Sequence, residues 1–342
     1  MKKIRLAIIG CGSFVRYHVK RMAGPIARVP ELECAALVDI RPDHAEKLVA
    51  ETESFAKNPP PLFTDYRRML KEIRPDAVIV STPHTLHFPM AFDALAAGAN
   101  VMIDKPMVTD STAARKLVQR ARAKKRVLQI AIQGTYTDTF AYARKLLTDG
   151  TMGKLQLVTG ILAQGWMKFT VGAWRQDPKL SGGGQMYDSG CHVLSAMLFL
   201  VDSPVSEVFC WTDNKRTRVD INAVATIRFA NGCMATMTSG GDCPSWKSHL
   251  ILQGDNAIME ISPHGGDFRV HRDYMKKEIT AVPRGWKIKS VTPVRNFTDS
   301  ILGKDTPRCP AQLGGRMADL MDALYESASA GKPVKVRRRK EE

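Results

Sequence analysis

Short apolar runs, each followed by a segment of helical spacing, govern what the first 133 residues can become. Ile4–Ile9, Leu32–Val38, Ala77–Val80, Val101–Ile103 and Val127–Ile132 are mostly apolar and do not alternate strictly. Between them lie Ser13–Ala23, Pro42–Ala50, Asp65–Ile73, Leu86–Ala97 and Ser111–Lys125, with helical spacing; Asp65 stands at a helix start and Gly98 at a helix end. Runs of this kind are strands buried on both faces, and helices between them are the crossovers of a parallel sheet. The pattern predicts a doubly wound α/β domain over 1–133.

Beyond about residue 134 the rhythm changes. One helix, Thr139–Leu147, ends at Asp149–Gly150, and strand-like runs follow at Leu155–Leu162, Val205–Thr212, Ala223–Phe229, Met234–Thr238, His249–Leu252 and Ala257–Ile261. Asn231–Gly232 and Gly254–Asp255–Asn256 are hairpin signals. These features predict a second, α+β domain over 134–342, with a large, mostly antiparallel sheet and helices on one side. A long helix at about 312–329, stopped by Gly331 and Pro333, is expected to pack back on the first domain.

Composition removes other classes. With 342 residues, 44% apolar and 25% charged, the chain has the make-up of a globular protein of about two domains. No apolar stretch approaches the roughly 20 residues a bilayer needs. The short run behind Lys2, Lys3 and Arg5 ends in Gly10–Cys11–Gly12 without a cleavage pattern, so no signal peptide is read and a cytoplasmic location is expected. The seven cysteines lack C-x-x-C spacing, which predicts reduced, mostly buried thiols and no metal site. Lys plus Arg is 50 against 34 Asp plus Glu, a formal charge of +16. Its two densest clusters, Arg115–Arg126 and Lys335–Lys340, fall on a solvated helix face and a terminal tail. No nucleic-acid motif accompanies them, so no nucleic-acid partner is expected.

Gly10–Cys11–Gly12–Ser13–Phe14–Val15 joins the first strand to the first helix. Gly10 permits the tight turn, and Gly12 lets backbone N–H groups approach a pyrophosphate at the helix N-terminus. Val15 replaces the third glycine of G-x-G-x-x-G and implies wider helix–strand packing. Asp39 ends the second strand, where a carboxylate accepts both ribose hydroxyls of NAD and repels the 2′-phosphate of NADP. Ile40 and Arg41 follow it; Arg41 could meet a 2′-phosphate or stack on adenine. NAD is the expected cofactor, with NADP as the alternative.

Three further stretches carry chemistry. Ser81–Thr82–Pro83–His84–Thr85–Leu86–His87 and Asp104–Lys105–Pro106 follow parallel strands, at the end where ligands bind in such sheets. Trp174–Arg175 and Gly182–Gly183–Gly184–Gln185–Met186–Tyr187–Asp188–Ser189–Gly190–Cys191–His192 come much later. In this order, over nearly the whole chain, the motifs resemble those of the Gfo/Idh/MocA oxidoreductases. The resemblance implies a Rossmann nucleotide domain and a substrate-binding and oligomerisation domain, built into a homodimer or homotetramer through the sheet face not covered by helices. It implies Lys105, Asp188 and His192 as the catalytic set. Ser81, Thr82, Pro83, His87, Lys105, Trp174 and Arg175 join Gly10, Gly12, Ser13, Phe14, Asp39, Ile40 and Arg41 on the cofactor. Tyr136 and Trp166 are candidates to line a sugar site beside Lys105, Asp188 and His192, with core packing as the competing reading.

The residue types fit hydride transfer at a sugar, inositol or related polyol. His192, with an ordinary pKa near about 6.5, suits a base for the hydroxyl proton. Lys105 can hold the oxygen, or serve as the base if burial lowers its pKa. Asp188, four residues before His192, shares a helix face with it if both lie on one α-helix; that helix reads as amphipathic through Val193, Leu194, Met197 and Leu198. His84, Asp104 and Ser195 depart from the family's usual Asn, Glu and Asp. Two other readings use the same residues: an NAD-dependent glycosidase that oxidises its substrate transiently, and a non-catalytic nucleotide-sensing regulator.

Overall fold

In the computed structural model, residues 3–23, 29–272 and 278–336 are described. They divide into two units. The first comprises Met1–Val108, Thr112–Ala131 and Val291–Gly314; the second comprises Thr109–Ser111, Ile132–Ser290 and Gly315–Glu342. Residues 337–340, most of the predicted basic tail, lie outside the described residues.

The first unit is built on six parallel strands: β1 (Ile4–Ile9), β2 (Leu32–Val38), β3 (Leu62–Phe63), β4 (Ala77–Val80), β5 (Asn100–Asp104) and β6 (Leu128–Ala131). Their order, β3-β2-β1-β4-β5-β6, places a topological switch at β1 and β4. That is where a doubly wound sheet opens a crevice for a dinucleotide. β4 and β5 are buried along their whole length, which is why they carry no alternation. Helix Tyr66–Ile73 starts as expected, with the Asp65 carboxylate accepting from the Arg67 and Arg68 N–H groups. The first helix begins at Val15, two residues later than its spacing suggests. Val15 is fully buried in a core with Leu6, Ile8, Val19 and Leu37. Helix Pro293–Ile301 closes this core with Val294 and Phe297. Its Arg295 makes two hydrogen bonds to the Glu31 carboxylate, at 2.8 and 3.1 Å.

The second unit carries eight strands: β7 (Leu155–Ala163), β8 (Val205–Asp213), β9 (Asn222–Phe229), β10 (Met234–Gly240), β11 (Lys247–Gly254), β12 (Ala257–Ile261), β13 (Phe268–Arg272) and β14 (Val334–Lys335), in the order β13-β12-β11-β7-β10-β9-β8-β14. Only β7 and β10 pair in parallel among these neighbours. β7, β9 and β10 alternate buried and exposed residues, the mark of a sheet with one covered face. The register sets Met234 beside Leu157, Thr238 beside Ile161 and Val224, and Val224 beside Trp211. The open face therefore shows a row of apolar side chains. Helix Cys191–Val201 differs from the expectation of amphipathicity: every residue in it except Phe199 is buried. A helix apolar all round belongs inside a core. All seven cysteines are free thiols.

Candidate active site

In the first unit, the glycine turn is shaped by backbone. Gly10 has φ of 92°, and a Cβ there would lie 2.3 Å from the Ser81 carbonyl oxygen. A Cβ on Gly12 would meet nothing within 4 Å, so the backbone at the helix start is open to an approaching group. Ser13 is exposed. Phe14 stacks on Tyr17 and sets its ring edge-on to His18. Asp39 accepts from the Cys11 and Arg41 N–H groups at 2.8 and 2.9 Å, with His44 Nδ1 3.4 Å from its Oδ2. Its carboxylate thereby ties the end of β2 to the glycine turn. Ile40 is 81% exposed. The Arg41 guanidinium is engaged by Asp43 at 3.0 and 3.3 Å. This open turn, carboxylate and exposed apolar side chain fit a dinucleotide.

His87 is fully buried, and its two ring nitrogens lie 2.8 Å from the Pro106 and Thr82 carbonyl oxygens. The ring lies between the loop after β4 and the loop after β5, and in its neutral form its single N–H donates to one of these two carbonyls. Burial, and next the nearby His84 charge, lower its pKa from 6.5 to about 4. A histidine whose folded pKa lies below its unfolded value stabilises the fold above the unfolded pKa, and that contribution is lost as pH falls from about 6.5 toward 4. The full shift corresponds to about 3 kcal/mol. The urea midpoint should therefore fall across this window, and less steeply for His87→Gln; equal slopes would rule this out.

Asp104 is buried at the end of β5. His18 Nε2 lies 2.6 Å from its Oδ1, and Ser81 Oγ donates to Oδ2. Burial alone would raise the Asp104 pKa, but the His18 charge and the hydrogen bonds from His18 and Ser81 outweigh it and hold the carboxyl below its usual range. Lys105 follows directly and is half-buried.

In the second unit, Asp188 Oδ2 accepts from Trp166 Nε1 at 2.8 Å and from Arg175 Nε at 3.1 Å. Arg175 also lies over the Trp174 ring, 4.4 Å from its centroid. The structure thus shows Arg175 on Asp188. Trp166, packed with Val219 and Ile221, is both a core residue and the donor that orients this carboxylate. Asp188 sits in a π-turn, Met186–Gly190, ahead of helix Cys191–Val201. The four-residue spacing to His192 is therefore not α-helical register, a correction to the shared-face expectation; such wider turns recur at functional sites. His192, 9% exposed, packs against His264 with ring centroids 4.5 Å apart, and His264 meets Trp246 edge-on at 5.3 Å. Tyr136 is 1% exposed. Ser195 is fully buried, so a carboxylate at that position would be an ion inside the core.

The glycine-rich loop before Asp188 hangs on Asp220. Its carboxylate accepts from Gly184 N–H at 2.7 Å, Met186 N–H at 2.8 Å and Tyr325 Oη at 2.6 Å. Burial first, then Asp220, push the Tyr325 phenol well above its ordinary pKa, so it stays a donor. A Cβ on Gly184 would lie 1.9 Å from the Asp220 carbonyl oxygen. Sequence reasoning missed His18, Asp220, Tyr325 and His264. Only His18 left a signal, on the inward face of the first helix.

Among the described residues, no group of three or more His, Cys, Asp or Glu could hold a metal ion, and no helix is long and apolar enough to cross a membrane.

Comparison with known proteins accords with these features. The family described as "Oxidoreductase family, NAD-binding Rossmann fold" (GFO_IDH_MocA) matches residues 4–132, and its C-terminal domain matches residues 140–260. The chain is 25% identical to D-glucoside 3-dehydrogenase of Escherichia coli (strain K12), over 97% of each protein. It is 24% identical to dTDP-3,4-didehydro-2,6-dideoxy-alpha-D-glucose 3-reductase of Saccharopolyspora spinosa, over 96% of this chain and 99% of the relative. The fold superimposes on the WlbA dehydrogenase of Bordetella pertussis, solved with NADH and UDP-GlcNAcA, with a TM-score of 0.83, 20% identity and 99% of each chain covered. The first unit is thus an NAD-binding Rossmann domain, and the chain belongs to the Gfo/Idh/MocA family of oxidoreductases.

Proposed function

We propose that this protein transfers a hydride between NAD and a secondary alcohol carbon of a sugar, inositol or related polyol, with Lys105, Asp188 and His192 as its catalytic set. The observation that carries the reading is Asp188: a buried carboxylate whose Oδ2 is fixed by two N–H donors, one turn ahead of His192. A carboxylate oriented this way suits a substrate hydroxyl, and burial strengthens that hydrogen bond.

When bound, NAD would supply the acceptor for the hydride that leaves the carbinol carbon, with the glycine turn at Gly10 and Gly12 and the Asp39 carboxylate as the groups that would hold it. His192 takes the hydroxyl proton as the C–H bond breaks, so the products are a ketone, NADH and a protonated imidazole. Lys105 steadies the negative charge that grows on the oxygen. Trp166 and Arg175 keep Asp188 oriented, and His264 limits rotation of the His192 ring. Asp39 is proposed to hold the ribose hydroxyls, and engagement of Arg41 by Asp43 favours NAD over NADP. Asp39→Ala should weaken NADH binding by about tenfold or more, the scale of a lost hydrogen bond to a charged group, with a smaller effect on NADPH. An unchanged ratio of the two affinities, read by fluorescence titration, would remove Asp39 from the ribose site.

The test of the activity is NADH formation by the purified protein on a panel of sugars, inositols and glycosides, with products identified by mass spectrometry. Steady NADH production on a polyol bears the proposal out. Glycoside cleavage without NADH accumulation would replace it with the transient-oxidation glycosidase. NAD binding with neither outcome would favour a nucleotide-sensing regulator.

The open sheet face, with Leu157, Ile161, Trp211, Val224 and Met234 all more than a third exposed, is proposed to be covered by a second copy in a homodimer or homotetramer. A monomer in analytical ultracentrifugation at micromolar concentration would overturn this.

A further inference from the structure

Three segments of the nucleotide domain meet at one buried carboxylate. Asp104 ends β5 and immediately precedes Lys105. His18 lies on helix Val15–Ala23, whose start forms the glycine turn, and its Nε2 is 2.6 Å from Asp104 Oδ1. Ser81 follows β4 and donates to Asp104 Oδ2. The Ser81 carbonyl oxygen is also the atom that a side chain on Gly10 would strike. His18 and Asp104 are 1% and 5% exposed, so solvent screens this contact little.

Stability alone is a weak reason to bury such a group. A buried carboxylate loses several kcal/mol of hydration, and an apolar residue of similar volume commonly serves the fold as well. His18 is moreover not fully satisfied: its Nδ1 is buried and has no hydrogen-bond partner among the described residues. What the arrangement secures is geometry. Aspartate is one methylene shorter than glutamate, so its carboxyl stays close to the β5 backbone. His18 and Ser81 together fix that carboxyl, and the next residue along the chain is Lys105.

We propose that His18 is a positioning residue for Lys105, acting through Asp104. His18 and Ser81 hold the Asp104 carboxylate from two sides, and the carboxylate sets the direction in which the chain leaves β5. The aspartate in this D-K-P segment and the histidine eight residues after Gly10 form a matched pair. A glutamate at 104 would bring its carboxyl into the space His18 occupies. This assignment rests on the reading of Lys105 as a catalytic group, but it can be tested without turnover.

The experiment measures the rate of acetylation of Lys105 by dilute acetic anhydride in the NAD-loaded protein, followed by mass spectrometry across a pH series. It compares wild type with His18→Ala, His18→Gln, Asp104→Asn and Asp104→Glu, each checked for folding by circular dichroism. His18→Ala and Asp104→Asn should each change the Lys105 rate by at least threefold, or move its midpoint by about half a pH unit or more. His18→Gln, whose amide N–H can stand near the place of Nε2, should restore most of the difference. Asp104→Glu should behave like His18→Ala. A surface lysine such as Lys179 should not change in any variant. Where an alcohol substrate is turned over, His18→Ala should lower kcat by about tenfold with the KM for NAD within about threefold. Folded variants with wild-type Lys105 reactivity overturn the proposal. Altered Lys105 reactivity in a protein that oxidises no alcohol would instead leave His18 in place and overturn the oxidoreductase reading.

Discussion

Replacing His192 by alanine is expected to lower kcat by about 100-fold or more, and Lys105→Ala is expected to do the same, the scale of lost acid–base or electrostatic assistance. His192 stands at the start of a helix that is buried nearly all round, so its ring has little room to be replaced by a neighbour or by bulk water. On the proposed assignment, the hydroxyl proton then has no positioned acceptor when the hydride leaves. The loss should fall on kcat and on kcat/KM alike, because the interaction is made chiefly in the transition state. NADH affinity should stay within about twofold in His192→Ala, since the groups proposed to hold the cofactor, Gly10, Gly12 and Asp39, belong to the first unit. Stopped-flow single turnovers with NADH titrations separate these quantities. Near-wild-type turnover in both variants would remove Lys105 and His192 from the chemistry.

The second large effect is structural. Asp220→Ala should destabilise the protein by about 4 kcal/mol, because three buried or half-buried donors lose one acceptor together, each costing about 1–3 kcal/mol. Those donors are Gly184 N–H, Met186 N–H and Tyr325 Oη. Gly184 precedes the π-turn that carries Asp188 and Met186 opens it, so any folded variant should also lose activity at permissive temperature. Asp220→Asn should recover only part of the loss, since an amide keeps one carbonyl oxygen and brings N–H groups toward donors. Chemical denaturation measures the first effect and initial rates the second. A loss below about 1 kcal/mol for the alanine variant would mean that water or a neighbouring group supplies the missing acceptor.

The nucleotide half of the molecule was legible in the sequence because its signals are local. A buried strand announces itself by composition, and a glycine turn by two residues. Asp65 and Gly98 mark helix ends by capping chemistry alone. The strands Leu62–Phe63, Phe268–Arg272 and Val334–Lys335 were not legible. Two are only two residues long, and Phe268–Arg272 shows two basic residues among five. Helix Pro293–Ile301 was also missed, although Thr292 caps it and Pro293 opens it. For the site, Lys105, Asp188 and His192 stood out through their motifs, whereas Asp220 could not. Its partners lie 34, 36 and 105 residues away, and nothing near it in sequence distinguishes it from a loop aspartate. His264 was hidden for the same reason, since its ring contact with His192 spans two elements that only folding brings together.

Helix Pro293–Ile301 gives the first unit an unusual birth order. Its Val294 and Phe297 complete the core built around Leu6, Ile8 and Leu37, and its Arg295 clasps Glu31. A ribosome adds about 5–20 residues per second. Roughly ten seconds or more therefore separate the emergence of β6 from that of the helix that seals it. Throughout that interval the nascent Rossmann layer carries an unfinished apolar surface, while strands β7 to β13 of the second sheet are synthesised behind it. The closing segment of the nucleotide domain, Val291–Gly314, thus arrives after most of the second unit, Ile132–Ser290. A truncation at residue 133 is therefore expected to leave the surface that Val294 and Phe297 cover exposed to water, and to be a poor stand-in for cofactor-binding measurements.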